Sequence, residues 1–151
     1  MPPQRKLVPY DYLKYYRIIK HFTCIKYKIS PHDLDLLLFL YSERYFTRAN
    51  FEEYDNLLSW DKYRFSRLLN TGWIDTFRIA KKGERYLYEV SYHGRNVIKA
   101  LYNKLSGDEI PMSQSSNPMF AKNVRYKDKV YRIMIKEMNK EIRASKLKIR
   151  I

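Results

Sequence analysis

The chain has 151 residues, of which 45% are hydrophobic, with a formal net charge of +14 and a single cysteine, Cys24. This length suits one domain with appended elements, and one cysteine excludes an internal disulfide framework. The N-terminus lacks the apolar segment of a signal peptide, and the best apolar run, residues 34–41, is too short to span a bilayer. We therefore expect a soluble, cytoplasmic protein.

The basic charge lies mainly at the two ends of the chain. The net charge is +6 over residues 1–28, zero over residues 29–121 and +8 over residues 122–151. Within the neutral part, residues 62–85 carry seven lysine or arginine residues against two acidic ones. Such local polarity is compatible with a surface that meets a polyanion.

The first half of the chain predicts three helices. The first covers residues 10–26 and has apolar residues on several sides, which favours packing against another helix or a second subunit. Ser30 followed by Pro31 is typical of a helix start, and the leucine-rich stripe after it predicts a largely buried helix. Thr47 opens a short helix that reaches about residue 57.

A fourth helix and a hairpin follow. Ser59 is the predicted N-cap of a helix over residues 60–71, and Gly72 is placed to end it in the left-handed conformation. Residues 73–79 and 85–90 are rich in β-branched and aromatic residues, and the turn at 81–84 between them predicts a β-hairpin. A helix followed directly by a cationic hairpin is typical of a winged helix-turn-helix.

The remainder divides into a helix, a linker and a C-terminal arm. Ser91 caps a predicted helix that ends near residue 105, and residues 106–124 have the composition of a linker. A basic helix then covers about residues 126–145, and residues 146–151 alternate charged and aliphatic side chains as a strand does. The predicted fold is mainly α with a small hairpin wing: a winged-helix domain over 1–105, the linker, and a basic arm over 125–151.

Four sequence segments between residues 30 and 105 carry a resemblance to a known family through their order along the chain. They are Ser-Pro-His-Asp-Leu-Asp-Leu-Leu-Leu-Phe-Leu-Tyr at 30–41, the helix start at Thr47, Arg-Leu-Leu-Asn-Thr-Gly-Trp-Ile at 67–74 and Val-Ser-Tyr-His-Gly-Arg-Asn-Val-Ile at 90–98. Together they resemble the core of a MarR-type winged-helix regulator. The resemblance implies that 67–74 ends the recognition helix, that 90–98 leaves the wing, and that the protein is a DNA-binding transcriptional regulator.

Two sets of residues are the predicted binding surfaces. Polar and cationic side chains opposite the apolar face of the fourth helix, with those of the hairpin turn, are the candidates for double-stranded DNA: Lys62, Tyr63, Ser66, Arg67, Asn70, Lys81, Lys82 and Arg85. Arg67 or Asn70 has the donors for bidentate contact with a base edge. Candidates for self-association or for binding other subunits are Tyr12, Tyr15, Ile19, Phe22, Leu147, Ile149 and Ile151.

A second function remains open at this point. The basic ends favour a structural subunit of a large assembly, plausibly a phage virion, in which the winged helix docks and the arms bind neighbours. The alternating tail is either a strand added to a partner's sheet or a solvated basic segment near nucleic acid. Catalysis, a metal site and a cofactor are not expected, because the three histidines are scattered and the four glycines form no phosphate-binding loop.

Overall fold

The computed structural model describes residues 12–58 and 61–149, with the side chains of residues 13–57 and 61–146. Its elements are α1 Tyr12–Tyr27, α2 Pro31–Glu43, α3 Arg48–Leu58, α4 Arg64–Asn70, β1 Ile74–Arg78, β2 Leu87–Val90, α5 Tyr92–Leu105, a 3₁₀ helix Pro118–Phe120 and α6 Tyr126–Ile149. The prediction of a mainly α fold with one small hairpin is confirmed. Within the described residues, no helix is both long and apolar enough to cross a membrane.

The chain divides into two compact units. The central unit is Tyr27–Ala100, and the terminal unit combines Met1–Lys26 with Leu101–Ile151. The sequence predicted a first domain that ran from the N-terminus to residue 105. The structure instead groups α1 with the C-terminal third of the chain.

The helix starts of the central unit follow their capping residues. The Ser30 hydroxyl accepts a hydrogen bond from the Asp33 amide at 3.2 Å, which caps α2. Thr47 and Asn50 cap α3 reciprocally, since each side-chain oxygen accepts from the other's amide at 3.1 Å. Such caps satisfy amides that the first helical turn leaves without partners. The predicted starts of α2 and α3 are therefore confirmed.

The hairpin is antiparallel and is anchored in the core at its base. Ile74 pairs with Val90, and both side chains are buried. Phe46 extends the pairing by one bridge, because its amide and carbonyl exchange hydrogen bonds with those of Tyr88 at 3.0 and 2.8 Å. The Phe65 ring of α4 meets the Tyr88 ring edge-on, with centroids 4.9 Å apart. The hairpin base and α4 thus share one aromatic core.

Ser91 joins the hairpin to α5. Its hydroxyl donates to the Gly72 carbonyl at 2.6 Å and accepts from the Gly94 amide at 3.0 Å. The predicted cap is confirmed, and it also fixes the turn that follows α4. Gly94 lies where the first turn of α5 passes closest to the hairpin. A Cβ there would lie 2.7 Å from Val90 Cγ1 and 2.9 Å from the Trp73 carbonyl oxygen.

Gly94→Ala is therefore expected to destabilise the protein by about 1–3 kcal/mol, the usual range for overpacking. Helix propensity alone predicts the opposite sign, a gain of up to about 1 kcal/mol. Urea denaturation of the variant decides between them. Asn96→Ala is the matched control, because Asn96 is exposed on the same helix. A Gly94→Ala protein more stable than the wild type would contradict the close packing.

In the terminal unit, α1 and α6 run antiparallel. Lys14 pairs with Glu141 at 3.2 Å, while His21, seven residues further along α1, pairs with Asp128 at 3.2 Å. The His21 ring also stacks on Tyr131, with centroids 4.0 Å apart. The buried side of α6 is formed by Tyr131, Ile135, Met138, Asn139 and Ile142.

The prediction that α1 carries an association surface is wrong for the residues described. Tyr15, Ile19 and Phe22 are only 3%, 0% and 1% exposed, so they belong to the core of the chain and not to a surface for subunits. The side chain of Tyr12 lies outside the described residues. Apolar residues on several sides of a helix indicate burial, and the sequence pattern does not say whether the covering surface belongs to the same chain.

Two further predictions for the C-terminal part are wrong. Residues 106–124 are not a loose linker, because Ile110, Asn117 and Met119 are buried. The strand predicted for the tail is not formed, since α6 continues to Ile149. The side chains of Leu147 and Ile149, and all of Arg150 and Ile151, lie outside the described residues.

Candidate nucleic-acid interface

Helix α4 is shorter than its sequence predicts. It begins at Arg64 and not at residue 60, and the predicted cap, Ser59, lies outside the described residues. Asp61 forms the turn before the helix: its side chain accepts from the Tyr63 amide at 3.0 Å and its carbonyl accepts from the Arg64 amide at 3.1 Å. Hydrogen bonds from the Tyr63 amide and from Arg67 hold the pKa of Asp61 below its usual value.

A buried ionic cluster, which was not predicted from the sequence, links α4 to α2 and α3. Arg64 is only 5% exposed; its Nε donates to Asp33 Oδ1 at 2.6 Å, and its Nη1 donates to Asp55 Oδ1. Both aspartates are buried, Asp33 at the start of α2 and Asp55 on α3. One guanidinium therefore ties α4 to two preceding helices, which fixes the position of the helix that carries the predicted contacts.

Arg67 belongs to the same cluster. Its guanidinium donates to Asp33 at 2.8 and 3.1 Å and to Asp61 at 3.1 Å, and its side chain is 41% exposed. The hydrogen bond to Asp33 is the main reason that the pKa of Arg67 is raised. Because three donor contacts are already made within the protein, the expectation that Arg67 reads a base edge does not fit this geometry.

The other predicted residues of α4 are available to a ligand. Lys62, Tyr63, Ser66 and Asn70 are all exposed, Tyr63 by 65%, and Ser66 and Asn70 follow Tyr63 at helical spacing. The Lys62 ammonium lies 5.0 Å from the centroid of the Tyr63 ring. This surface offers a cation, two hydroxyl groups and one amide, a set suited to phosphate contacts and to base edges.

The hairpin turn carries the remaining predicted cations. Lys81, Lys82 and Arg85 are exposed, and the turn is closed by a hydrogen bond from the Glu84 amide to the Lys81 carbonyl at 2.9 Å. Gly83 has φ +84°, a conformation that residues with a side chain rarely adopt. None of these three cations forms an ion pair with a described residue.

Two further arginines lie near the predicted ones. Arg78 is exposed at the end of β1, next to the irregular pairing between Thr76 and residue 78. Arg48 and Arg85 line one open cavity of ≈ 400 Å³ with Tyr86 and Tyr88. The sequence did not single out Arg48, because only the fold brings the start of α3 beside the hairpin.

The comparisons with known proteins leave the family open. No family model matches the chain, and no match was found among the curated proteins or the solved structures. Within the described residues, no group of three or more histidine, cysteine, aspartate or glutamate side chains is placed to hold a metal ion.

Proposed function

We propose that the central unit is a winged helix-turn-helix that binds duplex DNA through α4 and the hairpin. One observation carries the proposal: the exposed cations of this surface, Lys62, Lys81, Lys82 and Arg85, have no ion-pair partner among the described residues. The two arginines of α4, by contrast, form ion pairs within the protein. In the MarR-like interpretation, the protein is a transcriptional regulator without catalytic activity.

The chemistry of the exposed side chains assigns base contacts to α4 and phosphate contacts to the hairpin turn. Asn70 has the amide that pairs bidentately with adenine in the major groove, and Tyr63 and Ser66 offer hydroxyl groups beside it. Lys81, Lys82 and Arg85 contact phosphates next to the minor groove. Phosphate contacts position the protein, whereas base contacts give it sequence preference.

The alternative, a structural subunit of a large assembly such as a virion, rests on the basic charge at both ends of the chain, which would bind neighbouring subunits. Two predicted partner surfaces are missing from the described residues, because Tyr15, Ile19 and Phe22 of α1 are buried and the tail is helical as far as Ile149. The DNA-binding proposal keeps the surface that it requires.

The proposal is tested by Lys62→Gln, Lys82→Gln and Arg85→Gln combined, called the interface variant. If all three contact phosphates, the slope of log K against log salt for a duplex of mixed sequence is expected to fall by about 3 units, because each contact contributes about 0.9. The slope is measured by fluorescence anisotropy at salt concentrations from about 50 to about 200 mM.

A matched control separates local contacts from net charge. Lys28→Gln, Lys99→Gln and Lys127→Gln, called the control variant, also removes three charges from exposed lysines, all outside α4 and the hairpin. We expect its slope to stay within about one unit of the wild type. An interface variant that matches the wild type in affinity and slope would rule out binding by this surface.

A further inference from the structure

A row of cations lies on one side of α6. Arg125, just before the helix, and Lys129, Lys136 and Lys140 within it are all exposed. At 3.6 residues per turn their directions fall within an arc of about 60°, and a rise of 1.5 Å per residue spreads them over about 22 Å. These four residues are called the α6 cation row.

Three other cations of this unit make contacts within the protein. Lys14 pairs with Glu141, and Arg143 pairs with Glu109 at 2.7 Å. Arg132 donates to the carbonyl oxygens of Met119 and Ala121, which holds the 3₁₀ helix against α6. By contrast, no member of the α6 cation row forms a hydrogen bond or an ion pair with a described side chain.

The row also opposes the stability of its own helix. Arg125 with Lys129, and Lys136 with Lys140, are like charges four residues apart, an arrangement that destabilises a helix. Of the three acidic residues of α6, Asp128 is paired with His21 and Glu141 with Lys14, while Glu137 is exposed three residues before Lys140. Glu137 therefore offsets part of the repulsion at one end of the row, and Arg125 and Lys129 have no such neighbour with a free carboxylate.

We propose that the α6 cation row is a second nucleic-acid surface, which binds the phosphate backbone of a duplex without regard to sequence. Between residues 125 and 140 the arc itself holds only cations, and Ile133, which is 60% exposed, lies just outside it. The centre of a protein–protein interface, by contrast, is depleted in charged residues. Phosphate binding requires only placed cations and the release of counterions. The central unit carries twelve lysine or arginine residues against ten acidic ones, so it supplies little general attraction for DNA.

This inference rests on the proposed function only for the choice of duplex DNA as ligand. The test is Lys129→Gln, Lys136→Gln and Lys140→Gln combined, called the row variant, in the full chain. Its slope of log K against log salt on a mixed-sequence duplex is expected to fall by about 3 units. The control variant loses the same number of charges and is expected to keep its slope. Circular dichroism verifies that α6 stays helical.

The outcomes separate the two proposals. If the row variant loses slope and the interface variant does not, the row binds DNA and the proposed function of α4 and the hairpin fails. If only the interface variant loses slope, the row is a solvated face and this inference is wrong. Equal losses in the row and control variants would show a general charge effect and also overturn it. Binding to polyglutamate as strong as to DNA would reject the assignment to nucleic acid, as would a wild type that binds no duplex.

Discussion

Replacing Arg64 with alanine is expected to lower the free energy of unfolding by about 3–5 kcal/mol, the cost of removing one partner from a buried ion pair. The loss is large because Asp55 remains buried without its guanidinium, while Asp33 keeps only the hydrogen bonds from Arg67. Chemical denaturation at neutral pH, followed by circular dichroism, measures it. We expect it to be the most destabilising single substitution in the cluster.

Two controls define the origin of this loss. Arg67→Ala removes a side chain that is 41% exposed, so we expect a smaller loss, on the order of 1 kcal/mol. Replacing the whole buried set, Asp33→Leu, Asp55→Leu and Arg64→Met, leaves no isolated charge and is expected to recover most of the stability. An Arg64→Ala protein within about 1 kcal/mol of the wild type would show that the cluster does not hold α4.

The cluster also bears on the proposed function. Asp33 accepts from both arginines of α4, which sets the helix against the start of α2. Tyr63, Ser66 and Asn70 reach a groove together only if α4 keeps this position. We expect the variant with Asp33→Leu, Asp55→Leu and Arg64→Met to keep a folded central unit. Its affinity for DNA then shows whether the ionic contacts, and not packing alone, hold α4 in the position that DNA binding requires.

Local chemistry explains why much of the central unit could be predicted from sequence. Ser30, Thr47 and Ser91 cap helices through bonds to residues three positions away, and such bonds are visible in the sequence. The hairpin follows from two β-rich segments around Gly83. The predicted cations at 81, 82 and 85 are exposed because they lie between the two strands of the hairpin, far from its buried base at Ile74 and Val90.

Long-range pairing explains what the sequence did not reveal. Asp33 lies 31 residues before Arg64, and nothing local distinguishes Arg64, which is buried, from a cation that faces solvent. The tail has the alternation of a strand, but a strand requires a partner, whereas extending an existing helix adds one hydrogen bond for each residue fixed. Helix α6 accordingly continues through residues whose side-chain pattern alone favoured an extended conformation.

A second large loss of stability is expected when the contact between Asn139 of α6 and the segment 106–124 is removed. The Asn139 side chain accepts from the Ile110 amide at 3.0 Å and donates to the Ile110 carbonyl at 2.9 Å, and Asn139 is only 2% exposed. Asn139→Leu leaves both backbone groups of Ile110 without partners. Each unsatisfied buried group costs about 1–3 kcal/mol, so the variant should lose a few kcal/mol of unfolding free energy.

Limited proteolysis and denaturation together test this expectation. In the Asn139→Leu protein we expect faster cleavage within residues 106–124, because the segment is released from α6 before the whole chain unfolds. Glu137→Leu is the matched control, since Glu137 is exposed on the same helix and its replacement adds the same apolar side chain. If the two variants were equally stable and equally resistant to cleavage, the segment would be held by the burial of Ile110 and Met119 alone, and the paired hydrogen bonds of Asn139 would contribute nothing measurable to its attachment.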